Sequence, residues 1–289
     1  MDKYLQAINI TNKKKGFELK DVSLTLKEGE ITLIGGKNGS GKTTLLETLC
    51  LVQEPTEGRI ECLGKRVYDG TINRKILKNI QPDLGAQFQN VQLFKNLTVK
   101  ETLNLYSIHQ TSSKLAELIS ECEPIQNYLD KRIGQLSSGK KQLTKFLLSI
   151  INEPKIVFLD EPGSNLDDIT KRWIYNKIKK MKKQKVSFII TLNEEWPIID
   201  ISDKLIILND GDIKKEIKNF NLIGNGTVII INSEELTSEL KEKSWIHRIE
   251  KVEEGLKIFT NLKKKSVLKK INSLESIEEL RRIKLNDFY

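Results

Sequence analysis

Apolar and polar positions alternate at the start of the chain. Within residues 1–30, LQAINI and FELKDVSLTL read as short strands, with Asp21 and Gly29 at turns. ITLIG (31–35) is apolar almost throughout, as a strand buried on both faces is, and it runs into a glycine-rich loop. TTLLETLCLV (43–52) predicts the helix after that loop, and GRIECLG (58–64) returns as a strand. From about residue 90 to 135 the pattern turns helical, with Leu115, Leu118 and Ile119 apolar in SKLAELISECE. The next helix carries a cleaner stripe. Leu143, Phe146, Leu147, Ile150 and Ile151 follow the i, i+3, i+4, i+7, i+8 spacing, with lysines on the other face. IVFLD, VSFIIT and KLIIL are strand-length apolar runs separated by helical or loop segments. That alternation predicts an α/β fold with a parallel sheet and crossovers.

Near residue 220 the character changes. NFNLIGNG reads as a linker. TVIIIN, HRIEKVEEGLKIFTN and SVLKKINSLESIEELRRI beyond it predict two or three strands and one or two helices, with no chemistry-bearing motif. The expected organisation is one domain over 1–220, helical at about 90–150, and a small α+β appendix over 221–289.

Composition narrows the class. Hydrophobic residues make up 38% and charged residues 30%, enough for a globular core. No apolar run approaches the roughly 20 residues that cross a bilayer. The start, MDKYLQAINITNKKKG, lacks the apolar stretch of a secretory signal, so a cytoplasmic protein is expected. Cys50, Cys62 and Cys122 are scattered and read as reduced apolar fillers. The net charge is +9, with lysines clustered at 13–15, 177–185 and 263–270. Without interleaved aromatics these runs read as solvated faces, and no nucleic-acid partner is expected. A basic surface also suits a protein lying against anionic lipid headgroups.

Two segments carry chemistry. Gly36-Lys37-Asn38-Gly39-Ser40-Gly41-Lys42-Thr43 matches GxxxxGK[ST] in full, between an apolar strand and an apolar helix. Glycines let the backbone wrap a phosphate so that successive N–H groups point inward, and the helix N-terminus adds partial positive charge. Lys42 is expected to bridge the β- and γ-phosphates, Thr43 to ligate Mg²⁺, and Thr44 to complete the cradle. Downstream, Ile156-Val157-Phe158-Leu159-Asp160-Glu161-Pro162 places two carboxylates at the exit of a buried strand, where parallel-sheet sites lie. Asp160 is the candidate Mg²⁺ ligand, directly or through water, and Glu161 the candidate general base for water attacking the γ-phosphate.

Together these segments resemble the ATP-binding cassette (ABC) ATPases, the nucleotide-binding subunits of ABC transporters, over roughly residues 3–215. Leu136-Ser137-Ser138-Gly139-Lys140 is similar to the LSGGQ signature, with Ser138 for its first glycine and Lys140 for its glutamine. Gln89 in AQFQNVQLF resembles the Q-loop glutamine, a further Mg²⁺ ligand, and Ser164-Asn165-Leu166-Asp167 the D-loop. The resemblance implies a P-loop cassette: a mixed sheet core, an antiparallel β subdomain and a helical subdomain. It also implies head-to-tail pairing with a second cassette, a homodimer in the simplest case. Ser137, Ser138, Gly139 and Asp167 would then serve the ATP held by the partner. Separate transmembrane permease subunits would dock beside the Q-loop, near Phe94, Leu97 and Tyr106, on the inner face of the membrane. The length, the appendix and the closing IKLNDFY resemble ATPases of ABC-2 type exporters, so export is favoured over import.

The chain departs from the family pattern at two places. The switch-histidine position is Leu192, in ITLNEE, which cannot hydrogen-bond. Hydrolysis by this subunit is therefore expected to be slow, and a one-residue loop shift would be needed to bring Asn193 into that place. The adenine platform is reduced to Phe17, either a stacking ring or a core residue, with Tyr4 second. Two other readings remain: a hydrolysis-impaired regulatory subunit of a heterodimer, or a soluble ABC ATPase of repair or translation. The second is disfavoured by a single cassette with no heptad run between Lys42 and Asp160.

Overall fold

The computed structural model describes residues 2–14, 16–193, 196–218, 227–231, 246–252, 255–260 and 277–282. Two compact units are present. One comprises Met1–Trp196 and Ile201–Glu216, the other Pro197–Asp200 and Ile217–Tyr289.

The first unit begins with long strands β1 (Lys3–Lys14) and β2 (Phe17–Lys27), then β3 (Ile31–Gly35) and helix α1 (Lys42–Leu49). Next come β4 (Glu57–Cys62), β5 (Lys65–Asp69), α2 (Arg74–Ile80) and β6 (Leu84–Gln87). The helical stretch holds α3 (Val99–Tyr106), α4 (Ser112–Glu121) and α5 (Ser138–Ile150). The chain returns through β7 (Ile156–Asp160), α6 (Asp168–Lys183), β8 (Ser187–Leu192), β9 (Lys204–Asn209) and β10 (Asp212–Lys218). Two sheets result, of order β2-β1-β4-β5 and β10-β9-β3-β8-β7-β6. The first is antiparallel throughout. In the second, β9, β3, β8, β7 and β6 run parallel.

The apolar runs become the centre of the second sheet. Every residue of β3, β7 and β8 is buried, as crossover helices on both faces require. The stripe of α5 is buried as its spacing predicts. Asp21 is not at a turn. It sits inside β2 at φ 49°, across from Thr11, while a second positive-φ residue, Asn9 of β1, lies across from Ser23, and the pairing register slips near each. Two bulges therefore let long strands coil where the sequence suggested a break.

The lysines of α6 are not all solvated. Glu121, closing α4, accepts from Lys177 at 2.8 Å and Lys180 at 2.7 Å, and these bonds hold its carboxyl below the usual range. Trp173 Nε1 donates to the Glu121 carbonyl, and its ring meets Phe146 edge-on at 6.2 Å. The helical stretch is thereby anchored on α6. Burial pushes the thiols of Cys50, Cys62 and Cys122 up to about 12, as suits apolar fillers.

The second unit, as far as described, is a four-stranded antiparallel sheet. Its strands are β11 (Thr227–Ile231), β12 (Ile246–Val252), β13 (Gly255–Thr260) and β14 (Ile277–Arg282), in the order β12-β13-β11-β14. Segment 277–282 is a strand. Glu, Leu and Arg favour a helix, but the open edge of β11 pairs with this segment, Ile229 opposite Leu280, and pairing overrides propensity. The one or two helices expected here have no counterpart among the described residues, and the linker at 219–226 and the closing IKLNDFY lie outside them.

A buried serine joins the β2–β3 turn to the parallel sheet. Ser187 Oγ accepts from Gly29 N and donates to Lys27 O, each at 2.9 Å. Ser187→Ala leaves the Gly29 N–H without that acceptor. The variant should lose about 1–3 kcal/mol of stability in urea unfolding, and a native midpoint would show that the tie carries no weight.

Candidate functional site

The glycine-rich loop connects the buried strand β3 to α1. Its last glycine, Gly41, caps α1 at φ 102°, a conformation side chains rarely adopt. A Cβ there would lie 2.2 Å from Cζ of Phe17, so the Phe17 ring rests directly on the loop. Lys42 folds back over the loop, its Nζ donating to Gly36 O at 2.7 Å and Lys37 O at 3.1 Å. Burial pushes the Lys42 ammonium down from its ordinary value, while Glu161 and Asp160 oppose that shift. The Ser40 hydroxyl is buried and has no hydrogen-bond partner among the described residues. The β9–β10 turn braces the loop from outside: Gly211 N donates to Ser40 O at 3.0 Å, and Gly211 O accepts from Lys20 N at 2.8 Å.

The two carboxylates at the end of β7 have different surroundings. Asp160 is fully buried. Thr43 Oγ1 lies 3.0 and 3.2 Å from its two oxygens, and Thr191 Oγ1 donates to Oδ1 at 2.7 Å. Thr191 can do this because β7 and β8 run parallel with Asp160 and Thr191 in register. The same hydroxyl accepts from Glu161 N at 3.0 Å. Glu161 then leaves the strand at φ 47°, which turns its side chain out of the sheet. Its Oε2 accepts from Gln89 Nε2 at 2.5 Å, its Oε1 from Asn193 Nδ2, and its backbone carbonyl from Gln142 Nε2 at 2.9 Å.

A cleft of about 640 Å³ opens over the loop. It brings together Phe17, Asn38, Gly39, Gly41 and Lys42 with Thr43, Thr44, Gln89 and Glu161, and adds Asn193. Phe17 lines this cleft and also packs on the core. Tyr4 is not at the loop. Its hydroxyl donates to Glu28, and it lines another cleft beside α4 and α6. Leu192 is buried, the last residue of β8, in register with Gly35.

The signature and D-loop residues lie elsewhere on the same unit. Ser137 Oγ caps α5 by accepting from Lys140 N, and Ser138 and Gly139 form its first turn. A Cβ on Gly139 would come within 2.5 Å of Asn165 O, so the signature turn packs backbone to backbone on the D-loop. Asp167 caps α6, accepting from Thr170 N at 2.7 Å, and that bond holds its carboxyl below the usual range. None of these four residues lines the cleft over their own glycine-rich loop. Phe94 is 60% and Tyr106 37% exposed, with Leu105 and Ile108 exposed nearby, while Leu97 is half-buried.

The donor set suits a hard divalent cation. Thr43 and Asp160 supply a hydroxyl and one carboxylate, and among the described residues no group of three or more His, Cys, Asp or Glu could hold a metal alone. That fits Mg²⁺, which keeps waters and takes phosphate oxygens beside one or two carboxylates.

Three supporting residues were not read from the sequence. They are Thr191, Gln142 and Lys145, whose Nζ on α5 donates to the Gln89 carbonyl at 2.7 Å. Only Thr191 leaves a sequence signal, as the hydroxyl at the end of an apolar strand.

With this geometry in view, the comparisons with known proteins are specific. The family model described as "ABC transporter" matches residues 19–164, half of the chain. A spermidine/putrescine import ATP-binding protein of Spiroplasma citri is 28% identical over 222 residues, 73% of this chain and 60% of that protein. A methionine import ATP-binding protein of Streptococcus agalactiae is 30% identical over 227 residues, 73% of this chain and 63% of that protein. The chain thus spans about three-fifths of the length of these relatives. A solved ATP-binding cassette, dimeric in a post-hydrolysis state with ADP and Pi, shares 26% identity and a TM-score of 0.66, over 74% of this chain and 98% of that one. Motif order, cleft and likeness agree, and the chain belongs to the ABC transporter family, with the fold of its ATP-binding cassettes.

Proposed function

We propose that this chain is an ATP-binding and ATP-hydrolysing subunit of an ABC transporter. The observation that carries the reading is one cleft lined by Lys42, Thr43, Gln89 and Glu161, with the buried Asp160 hydrogen-bonded to Thr43 and Gln89 to Glu161. Loop N–H groups and the start of α1 would take the β- and γ-phosphates. Lys42 would exchange its loop carbonyls for phosphate oxygens. Thr43, Asp160 and Gln89 would hold Mg²⁺, which when bound offsets phosphate charge. Glu161 would accept the proton of the attacking water, and the amide of Gln89 would orient it.

Ser137, Ser138, Gly139 and Asp167 lie outside their own cleft, which supports their use in trans by a second copy of the chain. A solved relative is described as a dimeric cassette. The exposed Phe94, Leu105, Tyr106 and Ile108 offer apolar area for permease subunits, which would hold the chain on the inner face of the membrane. No described helix is long and apolar enough to cross a membrane. The appendix favours export, whereas the relatives cited above carry the names of import subunits. The cassette residues serve either direction, so the direction belongs to the permease and is read by transport in vesicles. Leu192 favours slow turnover and a second reading, a regulatory partner to a faster cassette.

Glu161→Gln should hold ATP without turnover and run as a dimer in gel filtration with ATP and Mg²⁺. A variant that stays monomeric removes the in-trans pairing. Phe17→Ala should weaken ATP binding about 5- to 100-fold, the worth of one base stack, in equilibrium titration. An unchanged affinity would leave Phe17 as a core residue alone. Removing 221–289 should leave ATP affinity intact; its loss would make the appendix part of the catalytic domain.

A further inference from the structure

Glu161 is held from two sides by neutral amides. Gln89, after β6, donates to one carboxylate oxygen, and Asn193, after β8, donates to the other. The resemblance expects a histidine one residue earlier, at Leu192. Leu192 cannot serve, because its side chain is 3% exposed and lies under the end of the sheet. It lines a small cleft with Glu161, Gly163, Asn193 and Trp196 but not the cleft over the glycine-rich loop, and a Cβ on Gly163 would sit 3.3 Å from the Trp196 ring. β8 ends at Leu192, and the first side chain beyond it to reach the glycine-loop cleft is Asn193.

We propose that Asn193 is a positioning residue for Glu161. The inference rests on the reading of Glu161 as the base that takes the proton from the attacking water. A glutamate at a strand exit can rotate freely, and a base must meet its water within hydrogen-bond reach. Two donors on two different oxygens fix the carboxylate plane. An amide has a second N–H and a carbonyl left for water or phosphate, and it stays neutral throughout. The device therefore differs from an imidazole in holding Glu161 without any proton of its own to exchange. Glu161 and Asp160 both act on the Lys42 ammonium at this cleft, and the Asn193 side chain adds no charge.

The test uses the full chain, with ATP affinity, kcat and KM measured separately and the lifetime of the ATP-bound dimer as a further readout. Asn193→Ala should lower kcat about 10- to 100-fold, the worth of a hydrogen bond to a charged group. ATP affinity should hold and the dimer should last longer. Asn193→Asp keeps the size but loses the donor and faces a like charge, so it should be at least as slow. Asn193→His restores a donor and should recover most of the rate. Leu192→His should not restore turnover to the Asn193→Ala chain, because position 192 is buried and does not line the glycine-loop cleft. Native kcat in Asn193→Ala or Asn193→Asp overturns the proposal. So does a parallel loss of ATP affinity in Asn193→Ala, an Asn193→His as slow as the Ala variant, or rescue by Leu192→His. Glu161→Gln in the same series separates the two levels: if it keeps native kcat, the reading of Glu161 fails, whereas an inactive Glu161→Gln beside a fully active Asn193→Ala sinks the role of Asn193 alone.

Discussion

The buried carboxylate of Asp160 is the contact on which the rest of the site depends. A charge taken fully out of water needs partners, and its partners here come from two other elements. Thr43 brings the first turn of α1 to it, and Thr191 brings the end of β8. One carboxylate thus ties the glycine-rich loop to both neighbouring strand ends. The Thr191 hydroxyl passes the constraint to the Glu161 N–H, so the backbone of the second acid is set by the side chain of the first. With both strands buried end to end, the register leaves little freedom for either acid to shift.

Helix α5 carries that order to the surface. Its Gln142 holds the Glu161 carbonyl and its Lys145 holds the carbonyls of Phe88 and Gln89. Its first turn, with Gly139, rests on the D-loop. Any movement of the signature turn is therefore felt at Glu161 and at the Q-loop through single hydrogen bonds. Burial lowers the Lys145 pKa, the cost of placing an ammonium at this joint. On the far side, Glu121 binds α4 to the lysines of α6, which makes the helical stretch a braced lever.

Much of this was legible in the chain. The apolar runs 31–35, 156–160 and 187–192 became buried parallel strands, because only a strand covered on both faces tolerates such a run. The glycine-rich loop and Glu161 fell into one cleft, with Asp160 buried against Thr43, because a strand–loop–helix with that spacing has few ways to fold. Asp21 misled, since a polar residue with positive φ looks the same at a bulge as at a turn. Segment 277–282 could not be assigned between strand and helix, because its residues favour a helix and only the edge of β11 makes it a strand. Lys177 and Lys180 looked like solvated charge, and only the fold brought Glu121 to them.

The sequence by itself determined the family, the loop, the two acids and the absence of a histidine after β8, since these are matters of residue type and spacing. The tertiary structure decided where each side chain points. It placed Phe17 on Gly41, turned Tyr4 away, buried Leu192 and brought Asn193 to Glu161. Those outcomes depend on strand register and on the residue at which β8 ends, and register is set by packing across the sheet, which no local stretch of sequence contains.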